Sequence, residues 1–333
     1  MKELIYFTKY FFSPRGLLDT MMFIYYFLEK KIIKYTYKNY AKRLRYLFTE
    51  NHIVLKNDTY NLIFDKQHKY NIPIILPTHS TSITDISSYK ENFFPDREDF
   101  ESLHRFNWVR YYLSKEKIEE NDKKSLESCI EHWCKYYIII NPINTSLMWS
   151  SYTNSERIIN IVIYYLNINR KPSDVICYSL DVMAHNLINN LECYNQKYGN
   201  HLINNFRALL VYGMFSNNTV LVKDMCKHLE YYLSNFIING FTKDYSSHYH
   251  LLMYFWLYDL SRVAEKYKYT IIINILKKFL TELDQKMSTF LVDNNFLILG
   301  DISPDYPIKY LLTLRNNEKY LNLYSLKNLY RRL

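Results

Sequence analysis

The chain has 333 residues, a formal net charge of +9 and 48% hydrophobic residues, so it can bury a large core and does not read as disordered. The charge favours an anionic partner (an acidic polysaccharide, nucleic acid or a phospholipid surface), but no dense Lys/Arg run or RNA-binding signature accompanies it, which sets nucleic acid aside. The five cysteines (Cys129, Cys134, Cys177, Cys193 and Cys226) are odd in number and form no CxxC pair, which argues for reduced thiols and against a disulfide framework or a zinc site; neither a metal nor a cofactor is expected.

Residues 4–48 read as helical, with a break near Ser13-Pro14. The longest nearly uncharged stretch there, Gly16 to Leu28, is too short to span a bilayer, and no small-residue cleavage site follows it. A docking helix is expected instead, packed on the body or resting on a membrane surface, with no transmembrane segment. Absent signal and reduced thiols point to the cytoplasm, with the periplasm or cell envelope as the alternative. Short apolar runs then predict a few strands: Ile53-Val54-Leu55, Leu62-Ile63-Phe64 and Ile72 to Leu76, punctuated by Asn-Asp and Pro. A polar stretch, Thr78 to Lys90, follows.

From Asp96 onward, apolar residues at steps of three and four predict helices over 97–114, 123–140, 153–169, 173–195, 202–216, 219–238, 247–267 and 269–290. Turns as short as Asn169-Arg170-Lys171-Pro172 and Ser216-Asn217-Asn218 imply antiparallel hairpins. The expected fold is therefore mainly α, with a small helical and short-strand appendage over 1–95 and a helical domain over 96–333.

The chain has only five glycines, and Gly199, Gly213, Gly240 and Gly300 fall in or beside polar clusters of the second half. Gly199-Asn200-His201 and Ser246-Ser247-His248-Tyr249-His250 each stand where a turn gives way to an apolar helix. Trp149, Asn200, Tyr249 and Asp301 recur at intervals of about 50 residues, one hairpin plus its connection. Hairpins set side by side around an axis would bring these clusters to one end, as a rim of helix N-termini able to face an anion. That geometry is an incomplete α/α toroid.

At these residues the chain resembles the N-terminal helical domain of the heparinase II/III-like and alginate-lyase-like polysaccharide lyases. Phe106-Asn107-Trp108 is similar to the family's entry helix. Asn141-Pro142, Trp149 and the run Tyr152 to Asn160 (YTNSERIIN) resemble its NP…W…YEISLRIIN segment. Gly199-Asn200-His201 resembles its NH-containing segment, Gly240 to His250 its DGxHFExSxxYH segment, and Gly300 to Asp305 its GDxSPD stretch. The resemblance implies β-elimination across the C4–O4 bond of a uronic acid. Asn200 and His201 would hold the carboxylate, and Tyr249 would act as acid and, for some substrates, base, with His201, His250 or Arg157 lowering its pKa. Trp149 and neighbouring tyrosines would stack on sugars, and Asp244 would keep the acid of the DGxHFE segment in the binding site. The sequence departs from the pattern at Thr153 and Thr242, where the family has Glu and His. No all-β segment follows to supply the family's β-sandwich and its further catalytic His, so a separate chain would have to provide it.

Each residue also has a plainer reading. Asn200 suits a turn and N-cap; His201 and His250 suit interior histidines; Arg157 suits a partner acid or the capping of carbonyls inside the bundle. Trp149 fits core or sugar platform equally, and the Asp301 stretch fits a turn that fixes the last hairpin. His248 and His250, two apart, face different sides of a helix and do not suggest a metal. A glycan-binding or biosynthesis-accessory protein without chemistry is the alternative function.

Overall fold

The computed structural model describes residues 70–89, 93–115, 118–140, 147–192, 199–292, 295–303, 306 and 311. The helical reading of 4–48, the strands near 53 and 62, the Asn141-Pro142 pair, Cys193 and the Pro304-Asp305 pair lie outside these residues.

The described chain is mainly α. Its helices are α1 (Arg97–Arg105), α2 (Val109–Leu113), α3 (Glu120–Cys134), α4 (Ser151–Ile168), α5 (Asp174–Asn189), α6 (Asn200–Phe215), α7 (Thr219–Phe236), α8 (Ser247–Lys266) and α9 (Thr270–Met287). Three two-stranded antiparallel ribbons accompany them: β1 (Ile72–Ile75) with β2 (Ser80–Ile83), β3 (Ile237–Ile238) with β4 (Phe241–Thr242), and β5 (Leu291–Val292) with β6 (Asn295–Phe296). No helix among the described residues is long and apolar enough to cross a membrane.

Burial sorts the helices into two layers. In α4 every residue from Ser151 to Tyr165 is buried, and in α6 every residue from Leu202 to Met214. By contrast α9 buries only Ile272, Leu276, Phe279, Leu283 and Met287, a single stripe at helical spacing that marks an outer helix with a wet face. Helix α6 packs on α4, α7 and α8, while α9 packs on α8. Side-chain contacts fix the direction of the inner helices. Tyr152 and His201, at the starts of α4 and α6, have ring centroids 4.7 Å apart, and Tyr152 lies 6.2 Å from Trp256 of α8. The far ends of all three helices border one cavity, which Leu166, Phe215 and Lys266 help to line. Helices α4, α6 and α8 thus run the same way, and their N-termini share one end.

Local sequence explains where the helices begin. Ser150 Oγ accepts the Thr153 N–H at 3.4 Å, Asn218 Oδ1 the Leu221 N–H at 3.0 Å and Ser246 Oγ the Tyr249 N–H at 3.2 Å, each satisfying an otherwise orphaned donor. Helix α4 ends at Asn169 in the left-handed region, φ 52°.

Two expectations are corrected. The helix expected over 97–114 is broken by Phe106, whose φ of 60° ends α1. The strain is offset by burial: the Phe106 side chain is wholly enclosed and its ring lies 5.4 Å from Trp108 and 5.7 Å from Trp133, where burying a Phe stabilises by about 2 kcal/mol. In addition, the polar stretch after residue 78 contains β2, pairing Ile72 with Ile83 and Ile75 with Ser80. Ile72, Ile74 and Ile83 point inward into the same core as the helices. Thr78 N–H donates to Asp99 Oδ1 of α1 at 2.9 Å, and Ile86 N–H to the Tyr70 hydroxyl at 2.8 Å. Residues 70–89 are therefore built into the helical core across the boundary expected at 95.

Candidate functional site

Asn200 and His201 open α6, Asp244 stands before α8 within electrostatic reach of His201, and Tyr249 lies in the first turn of α8. Gly199 precedes α6 without a side-chain cap, so Asn200 is the first helical residue and does not cap the helix; it is half-buried. His201 follows in the first turn with its side chain 51% exposed. Its Nδ1 lies 3.2 Å from Glu192 Oε1, and its ring lies over Tyr152 at an interplanar angle of 33°. Tyr152 in turn carries the Arg105 guanidinium 4.9 Å above its ring. Tyr249 is half-buried in the first turn of α8.

Asp244 completes this end from the turn before α8. Burial pushes its carboxyl up to about 6, while His201 pulls it back and Asp301 pushes it further up. Its Oδ2 is buried and accepts no hydrogen bond among the described residues. Because the folded carboxyl titrates at about 6, against an ordinary value of 3.8, the folded chain holds this proton more tightly than the unfolded chain. Stability therefore falls as pH rises from about 4 through about 6, and the penalty is fully present above that. Asp244→Asn should remove it, raising stability by about 1–2 kcal/mol at pH 7, after discounting its solvent-exposed part, and changing little at pH 4. Urea unfolding at the two pH values checks this; a destabilised variant at pH 7 would mean that the carboxylate is held by a partner.

Three candidates are taken by the core. Arg157 is fully buried: Nη1 donates to His104 O at 2.9 Å and Nη2 to Met148 O at 2.8 Å. Its guanidinium stacks 4.2 Å from Trp133 and 5.3 Å from Trp149. Burial pushes its pKa down to about 9, against a smaller upward pull from Cys134, which leaves it charged at neutral pH and capping carbonyls rather than facing a ligand. Trp149, 8% exposed, belongs to that stack and not to an open sugar platform. His250 is 1% exposed and donates Nε2–H to Leu283 O at 3.0 Å, tying α8 to α9; its ring edges a cavity of about 510 Å³ with Phe241, Phe290 and Leu299.

The stretch after β6 stitches the site's edge. Ser246 Oγ donates to Asp301 O at 2.6 Å, Ser247 N–H to Leu299 O at 3.0 Å, and Ser303 N–H to His248 Nδ1 at 3.1 Å. That last bond makes Nε2 the protonated nitrogen, which donates to Tyr306 O at 3.0 Å. Gly300 sits at φ 78°, and a Cβ there would come within 2.8 Å of Tyr245 O, so only glycine lets this stretch lie against the start of α8.

One participant escaped sequence reasoning: Glu192 follows α5 in a segment expected to be helical, and only tertiary contact brings it to His201. Tyr152, one of the tyrosines near Trp149 expected to stack on sugars, is buried with its ring against His201 and Arg105. Among the described residues no group of His, Cys, Asp and Glu has the arrangement of a metal site. No family model, no curated protein and no solved structure matches this chain.

Proposed function

We propose that the chain is an incomplete α/α toroid of the polysaccharide-lyase type, binding a uronic-acid-containing polysaccharide at the shared N-terminal end of α4, α6 and α8. The observation that carries this reading is His201: a half-exposed imidazole at a helix N-terminus, held by Glu192 and Tyr152, with the raised carboxyl of Asp244 within electrostatic reach. An imidazole N–H donor beside a helix N-terminus suits a uronate carboxylate, and Asn200 adds an amide donor there. Neutralising that carboxylate acidifies the C5 proton. In the elimination a base takes the C5 proton, its electron pair forms the C4–C5 double bond, and the C4–O4 bond breaks. Tyr249 is assigned to protonate the departing O4 and, for some substrates, to serve as the base. The net charge of +9 supports attraction of an acidic polymer.

A second reading, a glycan-binding or biosynthesis-accessory protein without turnover, draws on the enclosure of Arg157 and His250. Arg157 spends its guanidinium on backbone carbonyls and His250 its Nε2–H on Leu283 O, so neither is spare to activate Tyr249. Ultraviolet absorbance of the unsaturated uronyl product separates the two readings on glycosaminoglycans, alginates and bacterial capsules, with the chain alone and with a separate β-sandwich chain. A lyase should lose about 10²–10⁴ in rate on Tyr249→Phe with binding kept, and His201→Ala should weaken binding in either case. Binding that is indifferent to His201→Ala would sink the proposal.

A further inference from the structure

We propose a second binding site, for a small organic anion with an aromatic or apolar body, at the opposite end of the inner helices. There the ends of α4, α6 and α8 and the start of α5 enclose a cavity of about 790 Å³, within the range of about 300–1,000 Å³ usual for small-molecule sites. Its walls are apolar and aromatic: Val162, Tyr165 and Leu166 from α4, Tyr212 and Phe215 from α6, and Tyr267 after α8.

The charges around this cavity favour an anion. Arg170, Lys171 and Lys266 border it, and Asp181 is the acidic residue in its lining. Arg170 is held by Glu127 at 3.0 Å and also pairs with Glu120. Asp181 is engaged by the Tyr212 hydroxyl, which donates to it at 2.5 Å. Lys171 and Lys266 are exposed, and among the described residues no carboxylate pairs with either. Two ammonium groups thus stand over an aromatic pocket whose own carboxylate is occupied. At the Cys177 wall burial pushes the thiol up, Asp174 and Asp181 push it further and Lys171 opposes them, so the acids dominate on the α5 side and the anion's place is at the lysines. Lys266 also borders an adjoining cavity of about 280 Å³, where the arginines are matched: Arg110 pairs with Asp259 at 2.7 Å and Arg262 with Glu265 at 3.2 Å. Lys171 and Lys266, for which no carboxylate partner is found among the described residues, both border the larger cavity. A carboxylate, sulfonate or phosphate would meet the lysines while its apolar body filled the space between α4 and α6.

The test compares two probes of nearly the same shape on the full chain, followed by fluorescence: 1-anilinonaphthalene-8-sulfonate and the neutral N-phenyl-1-naphthylamine. The sulfonate should bind at one site per chain, and Lys171→Ala/Lys266→Ala should weaken it about tenfold or more while changing the neutral probe less than about twofold. Leu166→Trp, which fills the cavity from a half-buried position, should weaken both probes. Unchanged sulfonate affinity in the double lysine variant, equal loss of both probes in that variant, or several equivalent sulfonate sites would overturn the proposal. Both lysines lie at the end of the helices remote from His201, so either site can fail while the other stands.

Discussion

Glu156→Ala should cost about 3–5 kcal/mol of stability, because it strips a buried network of its central anion. Glu156 is fully enclosed in α4. It accepts from Arg207 Nη1 at 3.0 Å, Asn204 Nδ2 at 2.8 Å and the Tyr306 hydroxyl at 2.6 Å. Arg207, 1% exposed, also donates to Asn204 Oδ1 at 2.7 Å, and the second acid it meets is Asp259, whose Oδ2 lies at 3.4 Å and which is shared with Arg110. Two arginines therefore balance two acids, and removing Glu156 leaves a buried guanidinium undercompensated. Glu156→Gln keeps an acceptor and should cost less, with Tyr306→Phe smaller still at about 1 kcal/mol. Urea unfolding at unchanged m reads these values; a cost below about 1 kcal/mol for the alanine variant would show that the network is not formed as described.

Arg157→Ala should be comparably damaging, at about 3–5 kcal/mol, for a different reason. It orphans the carbonyls of His104 and Met148 and opens a void between Trp133 and Trp149. Arg157→Lys should recover little of this, because a point ammonium cannot bond two carbonyls and lie flat against two indoles at once. The measurement is again denaturant unfolding, paired with glycan binding by the fraction that remains folded. Lost stability with unchanged binding is the outcome expected of a residue that serves the core; the reverse pattern would return Arg157 to the ligand site.

Much of the helical plan could be read from the chain. The four-step apolar stripe of α9 and the caps Ser150, Asn218 and Ser246 are local signals, and local signals survive without knowledge of partners. The break at Phe106 was hidden because Phe-Asn-Trp continues the apolar rhythm without Gly or Pro; tertiary burial selects the left-handed backbone there. The β3–β4 hairpin did carry a signal: Asn239-Gly240, at φ 51° and 81°, is the pair that tight hairpins favour, but it was masked by the long helical pattern before it. Of the candidate site, the sequence placed Asn200, His201 and Tyr249 at helix starts, and they do lie in first turns. Arg157, Trp149 and His250 show the limit. Sequence spacing places a residue on a helix, but whether its face meets solvent or another helix depends on neighbours far along the chain.

Helix α4 has a consequence for how the molecule assembles. Thr153, Asn154, Ser155, Glu156, Arg157 and Asn160 are all fully enclosed, and their side chains find partners on α1, α2, α5, α6 and Tyr306. A helix so rich in polar groups gains little by collapsing early, since each group must shed water before its distant partner has arrived. It becomes favourable only when nearly everything around it is in place. Order therefore arrives late and all at once, and a fragment that ends before Tyr306 would inherit the axle of the machine without the pin that keeps it seated.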